Sequence, residues 1–295
     1  MEYLLHLLII VGIYSILAMS LDLLVGYTGL LSLMHAGIFG IGAYTAAILG
    51  LQSVVPFSAG ICASVTICVL AGLAVAIPSL RIRDDHFAIA TFSLQVVVFS
   101  LFNNWDSLTG GPPGLPGIPQ PVLLGWHVSS HGAFLVLILA GVAATACIRT
   151  MCMHSPFGRV LRAIREDEVL ASAHGRNVAT TRVVVFGITS GLAGMAGALY
   201  ASYISYIDPT SFTVMESIFI ISIVIIGGAG SLWGPVLGAI LLVTMPEFLR
   251  FIGIPSAIAA NMRQILYGAA LVACMLWRPQ GLIGEYAFGH EAKTK

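Results

Sequence analysis

Lysine is nearly missing from this 295-residue chain: Lys293 and Lys295, at its very end, are the only two. A phosphate-binding loop of the Walker A type needs a lysine after glycine at a helix N-terminus, where the ammonium reaches the phosphates, so this chain supplies no such motif. Charge of either sign is scarce as well. Charged residues make up 9% of the sequence, against about 25% in ordinary soluble domains. They balance to a net charge of +0, which implies no attraction to nucleic acid or to an acidic surface. Cysteine is confined to Cys62, Cys68, Cys147, Cys152 and Cys274, without a C-x-x-C pair and in or beside apolar runs, a pattern of reduced packing residues. No second histidine or carboxylate lies at metal-ligand spacing from His35, so no metal site is expected. The N-terminus lacks both a basic n-region and a convincing cleavage site, so its apolar run is expected to be retained as a helix.

What is present is mostly apolar. Hydrophobic residues make up 58% of the chain and the mean hydropathy is +0.97, values of an integral membrane protein. Apolar runs predict helices over Tyr3 to Leu24, a segment ending near Leu51, Phe57 to Ile77 before Pro78, Phe87 to Asn103, Gly132 to Ile148, Thr181 to Tyr203, Phe212 to Ile226, Val236 to Met245 and Gln264 to Trp277. The expected fold class is all-α: one polytopic transmembrane helical bundle over residues 1–295 with roughly 8–10 spans, re-entrant half-helices being the alternative at two glycine loops. By the positive-inside rule Arg81, Arg83 and the arginine-rich loop 149–182 lie in the cytoplasm, and the polar C-terminal tail is assigned to the same side. Counting back puts the N-terminus and a Gly/Pro-rich loop, 104–131, outside. Asp22, near the end of the first run, is either an interfacial charge or a buried functional carboxylate; the interface is favoured, because a carboxylate at the bilayer centre costs roughly 2.5–3.5 kcal/mol.

The glycine loops are Gly26, Tyr27, Thr28, Gly29 to Ser32, leading through His35 into the second helix, and Gly227, Gly228, Ala229, Gly230, Ser231 to Pro235. Gly26 and Gly29 share their spacing with Gly227 and Gly230, a short internal repeat of the kind many transporters carry. Two readings stay open. One is a backbone break lining a cavity at membrane depth; the other is a tight interfacial turn followed by a small-residue packing face at Gly37, Gly40 and Ala43. His35 by itself reads as a packed or hydrogen-bonded histidine. Gly187, Gly191, Gly194 and Gly197 form another close-packing face. The prolines between Trp105 and Trp126 remove amide donors and fix φ, which excludes a spanning helix there.

One charged island interrupts the apolar background. Arg159, Arg162, Arg165, Arg176 and Arg182 alternate with Glu166, Asp167 and Glu168. Ser155 and Pro156 predict an N-cap and first helical position, and Gly175 a left-handed end, so a single amphipathic helix is expected between them. Leu161 and Ile164 would face protein or membrane, and Arg162 would pair with Glu166 one turn on. A charged loop lying on headgroups and a helix driven by an external motor both fit. Ion-coupled carriers keep paired acids inside the bundle, and Glu216 and Glu247 lie near span ends; with no Walker lysine, a separate ATPase is favoured.

The run Gly26-Tyr-Thr-Gly29-Leu-Leu-Ser32-Leu-Met-His35-Ala-Gly37, the Thr109-Gly-Gly111 to Gly117-Ile-Pro119 segment, Ser155-Pro-Phe-Gly-Arg159 with Arg162-Ala-Ile-Arg165-Glu166, the loop Gly227 to Pro235, and Arg278-Pro-Gln-Gly281-Leu282 together resemble the LivM-type permeases of branched-chain amino acid ABC transporters, from the first helix to about Gly284. The resemblance implies a bacterial inner-membrane permease without a cofactor of its own. Its implied partners are a homologous second permease, two ATP-binding cassette subunits that hold ATP and Mg, a periplasmic solute-binding protein and the lipid bilayer.

It also implies that Arg159, Arg162, Ala163, Ile164, Arg165, Glu166, Glu168, Ala171 and Gly175 belong to the ATPase coupling helix, while Val169, Leu170 and His174 depart from the stricter motif. The candidate translocation path is Gly26, Tyr27, Thr28, Gly29, Ser32, His35, Gly227, Gly228, Gly230 and Ser231. Helix starts near Ser32 and Ser231 would meet a substrate carboxylate, and freed carbonyls near Gly26 or Gly227 its ammonium. The competing readings are a permease of the same type for urea, short amides or other amino acids, an ion-coupled carrier or channel, and a non-transporting membrane scaffold.

Overall fold

The computed structural model describes residues 2–52, 56–79, 84–123, 126–127, 130–251, 256–278 and 280–284. Arg81, Arg83, Pro279, Lys293 and Lys295, used above for topology and resemblance, lie outside the described residues. The helices are α1 (Glu2–Thr28), α2 (His35–Leu51), α3 (Phe57–Ser79), α4 (Asp84–Asn104), α5 (Asp106–Thr109), α6 (His131–His154), α7 (Pro156–Glu166), α8 (Glu168–Ala173), α9 (Val178–Ile204), α10 (Val214–Gly227), α11 (Gly234–Phe251) and α12 (Ser256–Trp277). Helices α1, α3, α4, α6 and α9 hold stretches long and apolar enough to cross a membrane, and α2, α10, α11 and α12 carry shorter apolar segments. The chain is thus a multi-pass helical membrane protein. Among the described residues strand is limited to two-residue ladders: Leu115–Pro116 pairs with Tyr206–Ile207, and Val122–Leu123 with Trp126–His127. Both involve the Gly/Pro-rich segment, which does not span.

Helix α1 forms the axis of the bundle, packing against α6, α9, α10 and α11 and, at its C-terminal end, against α7. It is buried almost continuously from Ile9 to Thr28. The helix does not break at Gly26, as the loop reading expected, but continues to Thr28 and turns at Gly29 with φ of +74°.

The chain then runs back without helix until His35, whose Nε2 sits 2.7 Å from Ser20 Oγ on α1. Eight residues of helix separate Ser20 from Thr28, so α2 starts about 12 Å inside the end of α1. A helix start at that depth exposes amide donors that water cannot reach. Side chains satisfy them: Leu33 N donates to Thr91 Oγ1 at 3.1 Å, Ala36 N to Ser217 Oγ at 3.1 Å and Gly37 N to Gln95 Oε1 at 2.7 Å. The Gln95 amide in turn donates to Phe212 O at 2.8 Å. The backbone break is real, and it is buried in protein.

The small-residue face of α9 packs on α2 and α3 as its spacing predicts. A Cβ at Gly197 would lie 2.2 Å from Phe39 O, and one at Gly42 would lie 2.5 Å from Gly194 O, so backbone meets backbone where α2 crosses α9. Overpacking such a contact costs about 1–3 kcal/mol. Gly197→Ala is therefore expected to lower the thermal midpoint of the purified protein, whereas Gly268→Ala, whose new methyl meets nothing within 4 Å, leaves it unchanged or raised. Parallel melts of the two variants check this.

Candidate functional site: the junction of the charged segment with the glycine loops

The charged segment is two helices rather than one. Asp167 adopts an extended conformation (φ −156°, ψ 108°), ends α7 and caps α8, its Oδ1 accepting from Leu170 N at 2.9 Å. Pro156 does open α7, and Gly175 does take a left-handed φ of +75°. Ser155 makes no side-chain cap; its Oγ donates to Cys152 O instead. Glu168 is tied to α9 by Nη1 and Nη2 of Arg182, which donate to its two carboxylate oxygens at 3.1 and 2.9 Å. Among the described residues no ion pair joins Arg162 to Glu166; the Arg162 guanidinium lies 6.0 Å from the ring centre of Tyr27.

The predicted coupling residues divide by face. Ile164 and Ala171 point inward, packing with Val178 and Val160 beneath the segment. Arg159, Arg162, Ala163, Glu166, Glu168 and Gly175 are exposed, and Arg165 is half-buried beside Gly29. All three departures from the stricter motif are exposed: Val169 and Leu170, at 76% and 56%, are the apolar part of an otherwise charged surface, and His174 lies at the end of α8.

Under this segment lies a buried ion pair. Asp22 is fully buried, not interfacial as expected, and Arg149, in the last turns of α6, is 2% exposed; Arg149 Nη2 donates to Asp22 Oδ2 at 2.5 Å. Helix α6 runs on past the expected end at Ile148, which is what aims Arg149 at α1. The remaining Asp22 oxygen accepts from Gly230 N at 2.8 Å, and Arg149 Nη2 also donates to Ser231 O at 2.7 Å and to Tyr27 Oη at 3.2 Å. Tyr27 Oη closes the circuit by donating to Gly230 O, and its ring lies 5.4 Å from the Arg149 guanidinium. Five residues from α1, α6 and the loop after α10 thus satisfy one another through side-chain and backbone groups, which is what a charge out of water requires.

The two glycine motifs face each other across this pair. A Cβ at Gly26 would lie 2.3 Å from Asp22 Oδ1 and 2.8 Å from Gly230 N. In each motif the first glycine is helical and the second has positive φ, Gly29 at +74° and Gly230 at +86°. The Arg278 to Gly284 segment seals the second loop: Leu282 N donates to Ile226 O at 2.9 Å and Ile283 N to Gly227 O at 3.1 Å, with Gly281 against Gly228. Ser231 Oγ accepts from Gly234 N at 2.9 Å and donates to Gly228 O.

Of the ten candidate path residues, Gly29 alone is exposed. Gly26, Tyr27, Gly227, Gly228, Gly230 and Ser231 meet at the junction, while Ser32 and His35 sit higher, at the start of α2. The donors at Ala36, Gly37 and Gly234, and the carbonyl of Gly227, are taken within the chain, so this conformation leaves none of them open to a substrate's carboxylate or ammonium. Sequence reasoning missed Arg149, and so left the burial of Asp22 as the less favoured alternative. The available signal was an acid inside one apolar run and an arginine at the end of another, since intramembrane charges occur in pairs.

The family described as branched-chain amino acid transport system / permease component matches residues 3–275. The chain is 33% identical over 295 residues to LivM, a permease protein of the high-affinity branched-chain amino acid transport system of Salmonella typhimurium, covering 92% of this chain and 68% of that protein. The corresponding LivM of Escherichia coli strain K12 is 33% identical over 301 residues, with the same coverage. LivH of that strain, also a permease protein of the high-affinity branched-chain system, is 25% identical over 293 residues, covering 92% of this chain and 91% of LivH. No solved structure matches the chain.

Removing one member of a buried, hydrogen-bonded ion pair costs about 3–5 kcal/mol, because the other charge is left uncompensated. Arg149→Met is accordingly expected to reduce folded protein in the membrane sharply. Arg149→Met combined with Asp22→Asn is expected to recover most of that loss, read as the coupling energy of a double-mutant cycle on thermal inactivation.

Proposed function

We propose, from the premise that this chain belongs to the family of branched-chain amino acid transport permease components, that it is one permease subunit of an importer of branched-chain amino acids driven by separate ATPases. The matches to both LivM and LivH support a second, homologous permease as its partner. The chain serves as a transport subunit without its own nucleotide chemistry; ATP and Mg reside on two ATP-binding cassette subunits, a periplasmic solute-binding protein delivers the substrate, and the assembly sits in the bacterial inner membrane.

The observation that carries the coupling role is the two-faced charged segment. Its inner face is locked to the bundle by Leu161, Ile164, Ala171 and the Glu168–Arg182 pair, and its outer face offers Val169 and Leu170 among charges. Apolar side chains ringed by charge are the composition of a docking surface rather than of a solvated loop. When the ATPases close, the docked segment moves with them as one body, since its attachments to α9 and α1 are stronger than a surface contact. From α7 the displacement passes through Arg162 and Tyr27 to Arg149, Asp22 and the Gly230 loop, and so to α10 and α11. The glycine-loop residues act in this reading as the moving junction of the path, with substrate contact reserved for the conformation in which the junction has shifted.

Leu170→Asp and Val169→Asp put a charge where an apolar contact is needed and leave the inner face intact. Each is expected to lower uptake at least tenfold in proteoliposomes holding the assembled transporter, with unchanged amounts of permease in the membrane. Uptake at the wild-type rate from both variants would sink the docking role. In the same assay labelled leucine uptake is expected to be competed by isoleucine and valine and not by urea; competition by urea would reassign the substrate.

A further inference from the structure

At the far end of α1 from the junction, a cavity of about 580 Å³ opens between α1, α10, α11 and α12. Its size lies within the roughly 300–1,000 Å³ of small-molecule sites. One stripe of α1 from Tyr3 through Ile10 to Tyr14 forms a wall, and Phe219, Tyr267 and Leu271 form the opposite side. Glu216 was expected near a span end. It does lie in the first turn of α10, but α10 begins part-way down the bundle, so its carboxylate accepts from Tyr14 Oη, midway along α1. Glu247, on α11 near the mouth, accepts from Tyr3 Oη.

The aromatic rings beside Glu216 are held in place. Phe219 meets Tyr14 edge-on at 5.3 Å and Tyr267 at 4.7 Å between ring centres. Pro246, inside α11, has no amide hydrogen, so the carbonyl of Leu242 one turn earlier lacks its helical donor. Tyr267 Oη supplies one at 3.2 Å, which fixes that ring on the cavity wall.

The ionisable side chains among the described lining residues are Glu216, Glu247, His6 and three tyrosines, a set that favours a cation. Among the described residues no group of three or more His, Cys, Asp or Glu could hold a metal ion. A carboxylate at the edge of a box of aromatic faces suits an organic ammonium, which gains from ring quadrupoles as well as from the counter-charge. We infer that this cavity is a binding site for an aliphatic primary ammonium, with Glu216 as counter-ion, Tyr14 orienting that carboxylate, and the apolar walls holding the alkyl body. The site does not depend on the transport reading. The ammonium of a free amino acid and that of a phosphatidylethanolamine headgroup share this chemistry.

The test uses the full chain with its partner subunits, without solute-binding protein, in phosphatidylglycerol nanodiscs, titrated calorimetrically with 3-methylbutylammonium. Saturable binding with one site per chain is expected, weakened at least tenfold by Glu216→Gln. Gly268→Leu, which fills the cavity from a position where a new Cβ meets nothing within 4 Å, is expected to abolish it while the protein stays folded. The neutral isostere 3-methylbutanol is expected to bind the wild type and Glu216→Gln equally. Displacement of the probe by L-leucine identifies the occupant as a free amino acid, and weakening by phosphatidylethanolamine in the disc identifies a lipid headgroup; each supports the site. Non-saturable heat, or one affinity across the wild type and both variants, overturns it.

Discussion

A charge removed from water must find its complement in the protein, and the Asp22–Arg149 pair is where this chain meets that requirement. The desolvation penalty is several kcal/mol per ion, so a pair at 0% and 2% exposure persists only if the surrounding hydrogen bonds are also made. Making them sets the relative positions of three elements. Asp22 spans from Arg149 to the Gly230 amide, Arg149 from Asp22 to the Ser231 carbonyl, and Tyr27 joins both. Gly26 follows from the same demand, because any Cβ there would collide with the Asp22 carboxylate. Sliding α1 by one residue against the loop after α10 would leave a carboxylate and a guanidinium unsatisfied together.

The same rule, applied to neutral backbone groups, explains the irregular segments. At the start of α2 the amides of Leu33, Ala36 and Gly37 are met by Thr91, Ser217 and Gln95. At the end of α10 the last carbonyls are met by Leu282 and Ile283 from the C-terminal segment. Inside α11 the carbonyl freed by Pro246 is met by Tyr267. Buried backbone groups need partners, so each break in helical bonding recruits a polar side chain or a distant stretch of backbone. Thr91, Gln95, Ser217 and Tyr267 are polar residues within apolar helices, each placed where another helix is interrupted.

What was legible in the sequence was whatever is local and additive. Hydropathy located the apolar helices, although α6 and α11 run on to His154 and Phe251, past their expected ends at Ile148 and Met245, and α12 starts at Ser256 rather than Gln264; proline excluded a span between Trp105 and Trp126, and the spacing of Gly187 to Gly197 announced a close-packed face that does meet α2 and α3. The island from Arg159 to Arg182 was visible against its background, but its break at Asp167 was not, because a residue that can continue a helix can also cap the next one. Asp22 was misplaced for a related reason. An insertion cost assigned to one residue ignores a partner 127 positions away, and nothing in the spacing of either residue points to the other. Glu216 shows the same limit: its place near the start of a helix was correct, while the depth of that start depends on the 3₁₀ turn Pro209–Phe212 and its packing against Phe39 and Tyr44.

The junction also constrains how motion can reach the bundle in the proposed importer. Bonds in a low-dielectric interior are strong, and an intermediate with either charge unpaired would be disfavoured by several kcal/mol. A gradual separation of α1 from α6 or from the Gly230 loop is therefore a poor route between two conformations. Movement that keeps Asp22, Arg149, Tyr27 and Gly230 together as one body, rotating about the softer contacts, avoids that cost. The polar knot beneath the charged segment thus stays closed while it moves. Glycine at 26, 227, 228 and 230 is then a condition for closing that knot, and the conformational freedom usually credited to such residues is spent on close approach.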